Sequence, residues 1–344
     1  MRFPDAAHPL PPASRRGALA LVALLFTTAC GACGSGSTGD AGSTAGTGGA
    51  GTATGTGGAT GDAGTGDAAT GDAAAVDGGI DRGPTAIALD ADANGLWWDE
   101  ATDTLYLADD ENNRVLAWTD SGGSRLVANL PAQTQSDPGL GQVIKTADGK
   151  LVVTRFGYGT TGDVAFINAD LSTGTVPNLD PTRRRIGLTV ASDGTLYDTY
   201  FVKTTTAQIG AVARLDLTQG AEVDVVTSLT KPVGVLASGT NLLISDQATN
   251  AVLQAPIAMP SMVTSLVPMI TGPDLLCNGP GGTYFTGGSN GAIRQITLAG
   301  QYSTFAGGFL TIRGVAYDAK NKRLFAAEHD PAGLKNALRI LPVN

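Results

Sequence analysis

The sequence predicts an all-β fold, a six-bladed β-propeller closed by its own amino-terminal strand, and three observations carry that expectation. First, LYLAD at Leu105–Asp109 has five counterparts: LVVTR from Leu151, LYDTY from Leu196, LLISD from Leu242, TYFTG from Thr283 and LFAAE from Leu324, at spacings of 46, 45, 46, 41 and 41 residues. That is the period of a four-stranded blade. Second, an opener, usually with glycine, precedes each of them: NGL at Asn94, LGQ at Leu140, IGL at Ile186, VGV at Val233, DLL at Asp274 and RGV at Arg313. Third, no stretch after residue 84 keeps the three-and-four apolar spacing of an amphipathic helix.

The best-preserved unit runs from Asn94 to Thr119. An apolar strand, Leu96 to Trp98, meets a turn at Asp99 to Asp103; a second strand ends in Asp109 and Asp110; a third spans Arg114 to Trp118. Turn residues thus separate β-branched, aromatic and aliphatic runs, as in an antiparallel meander. The last repeat stops one strand short, with strands at Gly314–Tyr317, Arg323–Ala327 and Ala337–Val343. TAIALDA, Thr85–Ala91, is an apolar strand without a partner of its own. It is expected to supply the outermost strand of the sixth blade, leaving no raw edge. A β-sandwich is the runner-up, an awkward fit for six similar meanders.

Composition divides the 344 residues unevenly. Residues 34–80 are almost entirely Gly, Ala, Thr, Ser and Asp, with TGDA at Thr38, Thr60, Thr65 and Thr70. A tract so poor in apolar side chains cannot offset the entropy of ordering, so residues 30–80 read as a disordered stalk and 81–344 as the propeller. Of 31 acids and 22 bases, six and three fall in the first 80 residues, leaving the propeller with 19 bases against 25 acids. That mildly acidic surface and the lack of a basic stripe argue against nucleic acid as a partner.

At the amino terminus Arg15 and Arg16 precede the apolar run Gly17–Ala29, which is too short to span a bilayer but suits a signal peptide over 1–29. Ala29 before Cys30 resembles the lipobox of bacterial lipoproteins. The resemblance implies that Cys30 is acylated and becomes the first mature residue, so that the membrane is met only through a lipid anchor. The expected location is the outer membrane, on the periplasmic or cell-surface side; soluble secretion is the alternative. A monomer is expected.

LWWDEATDTLYLADDENNRVLAW, from Leu96 to Trp118, resembles the opening blade of the SMP-30/gluconolactonase/strictosidine-synthase-like group, and its LYLADDENNRVLAW part is similar to an NHL repeat. The first blade carries both motifs; the fourth (LLISDQATNAVLQ) and the sixth carry partial echoes. The resemblance implies a propeller over the whole of 85–344, and a lactonase or ester hydrolase activity that uses a divalent cation held by Glu, Asn and Asp side chains of inner positions. Only Asn94 and Asp274 correspond here, with Asn94 standing where the family pattern has Glu.

In a blade the first strand starts at one face beside the axis and the second returns to that face. Two rings should therefore surround the mouth. The inner ring is Asn94, Leu140, Ile186, Val233, Asp274 and Arg313; the outer is Asp109, Arg155, Tyr200, Asp246, Gly287 and Glu328. Their polar members form the candidate binding face for a small molecule or a protein. Calcium wants six to eight oxygens and magnesium a near-octahedral set, so a cation at Asn94 and Asp274 is short of ligands and faces repulsion from Arg313. An Asp274–Arg313 ion pair plugging the tunnel is the competing reading. Asp109, Asp246 and Glu328 either lean inward or bond loop amides.

The two histidines are His8, in the signal segment, and His329. No histidine cluster can be built; His329, between Glu328 and Asp330, is a candidate general base or a solvated loop residue. Asp274 is the other catalytic candidate. Cys277 reads as a small buried side chain. The sequence supports two functions, a ligand- or partner-binding propeller and a metal-dependent hydrolase of SMP-30 type, with a structural envelope role as a third.

Overall fold

The computed structural model describes residues 85–134, 139–332 and 336–344. The signal segment, Cys30, Cys33 and the 30–80 tract lie outside the described residues.

The fold is all-β and propeller-like. A lone strand β1 (Thr85–Ala88) is followed by four separate four-stranded antiparallel sheets. These are β2–β5 (Ala93–Asp99, Thr104–Asp109, Arg114–Thr119, Gly123–Asn129), β6–β9 (Leu140–Lys145, Leu151–Arg155, Asp163–Ile167, Thr173–Thr175), β10–β13 (Arg184–Val190, Leu196–Lys203, Gln208–Asp216, Ala221–Leu229) and β14–β17 (Pro232–Ser238, Asn241–Asp246, Ala251–Pro256, Thr264–Val267). The remaining strands, β18–β21 (Pro273–Asn278, Tyr284–Gly288, Ile293–Ile296, Tyr302–Ala306) and β22–β24 (Thr311–Asp318, Arg323–His329, Ala337–Pro342), join β1 in one eight-stranded sheet. Among the described residues the helical elements are two three-residue turns, Gly157–Gly159 and Pro280–Gly282.

Six separate sheets were the expectation, and four stand apart. The last two meanders are joined by one residue pair, Gly288 with Ile312. Gly287 explains the contact: a Cβ there would sit 2.8 Å from the Arg313 carbonyl oxygen, so only glycine lets β22 approach β19 this closely. At the ends of the chain, β1 pairs antiparallel with β24 from Thr85 opposite Ile340 to Ala88 opposite Ala337, and so forms the outer edge of that sheet.

The openers have one physical cause. Each first strand abuts the first strand of the next meander, in the closed order β2, β6, β10, β14, β18, β22 and back to β2. A Cβ on Gly187 would lie 2.8 Å from the Val235 nitrogen, and one on Gly234 2.7 Å from the Asp274 carbonyl oxygen. Gly95, Gly141 and Gly314 meet neighbouring backbone just as closely. At each opener the pairing register also shifts, as at Ala93/Leu96, Arg185/Leu188 and Ile312/Val315. Such bulges leave ladder groups unpaired and re-aim side chains. Second-strand hydroxyls take up freed amides: Gln142 N–H donates to Thr154 Oγ1 (3.1 Å), Gly187 N–H to Thr199 Oγ1 (2.8 Å) and Asp274 N–H to Thr286 Oγ1 (3.1 Å).

Apolar clusters fill the wedges between successive meanders. Trp98 and Trp118 of the first pack on Phe325 of the last, at ring-centroid distances of 5.2 and 5.5 Å, and Ile87 and Leu89 cover the same cluster. Cys277 is half-buried beside Phe285, and burial pushes its thiol pKa up.

Deleting the chain through Leu89 removes the β1 ladder and two aliphatic side chains. It should lower the stability of the whole domain by about 2–4 kcal/mol in one cooperative urea transition. An unchanged midpoint would show that β1 does not hold the ring closed.

Candidate functional site

The bulges turn the six opener residues toward one mouth of the axis. Asn94, Leu140, Ile186, Val233, Asp274 and Arg313 all line a single cavity of about 310 Å3. Asp110, Phe156, Tyr158, Lys231 and Gln247 complete its wall. Its wall therefore combines aliphatic side chains with charged and polar ones.

Asp274 is the acid in this throat. One carboxylate oxygen accepts the Leu275 N–H at 3.0 Å. Burial pushes its pKa up to about 6, against the opposing pull of Arg313, the Leu275 amide and Lys231. The expected Asp274–Arg313 ion pair is not formed. Arg313 Nη1 turns instead to Asp92 Oδ2 and Asp110 Oδ2, each at 3.5 Å, because both carboxylates stand at the adjoining end of the first meander. Asp92 also meets His329: its Oδ1 lies 2.8 Å from Nδ1. His329 is thus oriented by a carboxylate beside the cavity rim, although it does not itself line the cavity. Lys231 Nζ donates to Gln247 Oε1 at 2.5 Å, and burial pulls its pKa down.

The outer ring is placed differently. Asp109, fully buried, accepts the Asp92 N–H (3.0 Å) and pairs with Arg114 (2.6 Å). Asp246 accepts the Thr230 and Lys231 amides at 2.8 and 3.0 Å, and Glu328 accepts the Leu310 amide and pairs with Arg339. Arg155, also fully buried, makes a bidentate pair with Asp163 at 2.5 and 2.7 Å. Tyr200 donates to Asp224 at 2.7 Å under the Arg183 guanidinium. None of these lines the cavity. These side chains tie strand ends to loops; after Asp109, Arg155 and Asp246 it is the next residue, Asp110, Phe156 or Gln247, that reaches the mouth. The alternation of a strand shifts the ring by one position. Lys231 and Asp92 lie in loops before first strands and carried no repeat signal.

Of the run Arg183–Arg185, only Arg185 is buried. Arg185 is fully buried, bidentate on Glu222 at 2.6 and 2.8 Å, with Asp198 at 3.5 Å. Both oxygens of the buried Asp198 lack a hydrogen bond in the structure, and burial, then the Glu222 charge, push its pKa well up.

The cation that the resemblance implies does not fit these residues. The Asn94 amide nitrogen is committed to the Leu140 carbonyl at 2.6 Å, leaving one oxygen. With one remaining Asp274 oxygen the set is far short of six, and Arg313 and Lys231 act on the same carboxyl. No group of three or more His, Cys, Asp or Glu that could hold a metal occurs among the described residues.

Two titrations follow. A raised acid pKa means that stability is fully present below the ordinary value of 3.8 and is lost as pH rises through the folded value. Asp274→Asn should therefore match the parent near pH 4 and exceed it by about 3 kcal/mol at pH 8; equal urea midpoints at pH 8 would contradict the raised value. Asp198→Asn should gain on the parent in the same direction; a variant less stable than the parent at pH 8 would mean that Asp198 is ionised and held by Arg185.

No protein-family model matches the sequence, and no curated protein matches it. Among solved structures, regucalcin from Agrobacterium tumefaciens, a calcium-binding protein, superimposes with a TM-score of 0.60 at 15% identity, over 75% of this chain and 91% of that one. A gluconolactonase from Xanthomonas campestris gives 0.59 at 19% identity, over 73% and 86%. A luciferin-regenerating enzyme gives 0.59 at 14%, over 76% and 95%. At these identities the likeness is one of fold: this chain has the β-propeller fold shared by gluconolactonase- and regucalcin-type proteins.

Proposed function

We propose that this chain is an exported, lipid-anchored propeller that binds a small polar molecule in the cavity at its axis. The convergence of all six opener residues on that cavity carries the reading. A volume of about 310 Å3 lies at the small end of ligand sites, and a few polar groups over apolar walls are what such sites present. Export and anchoring rest on Arg15, Arg16, the Gly17–Ala29 run and Cys30. In this reading the eight-stranded sheet counts as two blades, since β18–β21 and β22–β24 with β1 each repeat the four-strand order and one pair joins them. The count is then six.

The pKa of Asp274 favours a second reading, hydrolysis of a lactone or ester. A carboxyl near 6 is poised to accept a proton from water at neutral pH, and Arg313 stands close enough to steady developing negative charge. This route uses only the chain's own groups.

Calorimetry of the purified chain against a panel of small acids, polyols, lactones and esters separates the two. Binding of at least one member, lost in Ile186→Trp because the indole fills the throat, is the expected result; no saturable binding across the panel would remove the proposal. Turnover of a lactone or ester that falls about a hundredfold or more in Asp274→Asn would establish the second reading.

A further inference from the structure

We infer that the cavity is an oxyanion site, holding the carboxylate or phosphate group of a small molecule between Lys231 and Arg313. The inference rests on the cavity being a ligand site and adds the chemical class of what enters it.

The acids and bases of the wall are unequally satisfied. Asp110 accepts the Leu140 N–H at 2.5 Å and stands against Arg313, and Asp274 accepts the Leu275 N–H. The bases have less. Lys231 is half-buried, and its hydrogen-bond partner among the described residues is a neutral amide oxygen, Gln247 Oε1. Lys231 forms no ion pair among the described residues; burial lowers its pKa, and the opposing charge of Asp274 only partly offsets that loss of water. Arg313 commits one nitrogen, Nη1, to two long contacts, and its Nε and Nη2 make no hydrogen bond among the described residues. A guanidinium offers five donors in a planar fork that matches an oxyanion.

A third cation stands behind the wall residue Phe156, outside the cavity lining. The Arg184 guanidinium lies over Phe156 at 5.3 Å and Phe201 at 5.9 Å, and Lys231 lies over the same Phe201 ring at 5.9 Å. Among the described residues Arg184 has no carboxylate partner, and its buried Nε is unpaired. Charge-assisted hydrogen bonds from Lys231 and Arg313 gain strength beside the aliphatic side chains of Leu140, Ile186 and Val233.

The test is calorimetry of the purified full chain at low ionic strength. Inorganic phosphate and succinate are titrated separately, with succinamide and glycerol as neutral controls. The expected result is saturable one-to-one binding of at least one anion, weakened about tenfold or more in Lys231→Gln and in Arg313→Gln. The two arms tell a phosphate site from a carboxylate site. Lys231→Gln breaks no ion pair and decides the matter if Arg313→Gln melts early. Absence of binding by both anions overturns the inference, as does anion binding unchanged in Lys231→Gln. If a neutral molecule binds and Ile186→Trp blocks it while the anions do not bind, the cavity reading survives and the oxyanion does not. If nothing binds, both fall.

Discussion

The approach of one first strand to the next at the axis is the constraint on which everything else depends. Side chains cannot fit there, since a Cβ on Gly187 or Gly234 would press into the neighbouring backbone. Glycine in a strand weakens it, and a bulge weakens it further by leaving amides unpaired. Hydroxyls of the second strands, Thr154, Thr199 and Thr286, repair part of that loss from within each sheet. The ring is thus narrow where the backbones meet, and the residues beside the glycines have nowhere to point but the mouth.

That geometry makes a site out of a packing solution. The six residues at the mouth come from six points far apart in the chain, and the same bulge aims each of them. Their chemistry differs, with three aliphatic, one amide, one acid and one base. Aliphatic walls set the local solvation, and the two half-buried ionisable groups respond in opposite senses. Asp274 rises toward 6 and Lys231 falls, each because its charged form loses water. Arg313, on the neighbouring first strand, acts on Asp274 without pairing with it.

Acids elsewhere on this end of the fold show the contrast. Asp109, Asp246 and Glu328 are all buried, yet each finds backbone N–H donors where a loop enters or leaves a strand. A carboxylate so satisfied holds loops in place and has little left for a ligand. Asp198 lies at the other extreme, enclosed in the third sheet with no hydrogen bond to either oxygen. Among buried acids of one fold, the supply of donors separates those that support structure from those whose charge is unsettled.

The sequence by itself determined the meander period, the glycine openers, the β1 closure and the identity of the six mouth residues, because all of these follow from a repeated strand pattern and a backbone contact that only glycine permits. It also marked the second-strand ends, but one residue too early. Asp109, Arg155 and Asp246 carry the repeat signal, while Asp110, Phe156 and Gln247 reach the cavity, since adjacent strand residues point to opposite sides. Tertiary structure alone decided the rest. Arg313 chooses Asp92 and Asp110 over Asp274, and His329 meets Asp92, through contacts between segments more than 200 residues apart that no local pattern encodes. Lys231 enters the wall from a loop outside any repeat, where only the folded ring could bring its charge to the axis.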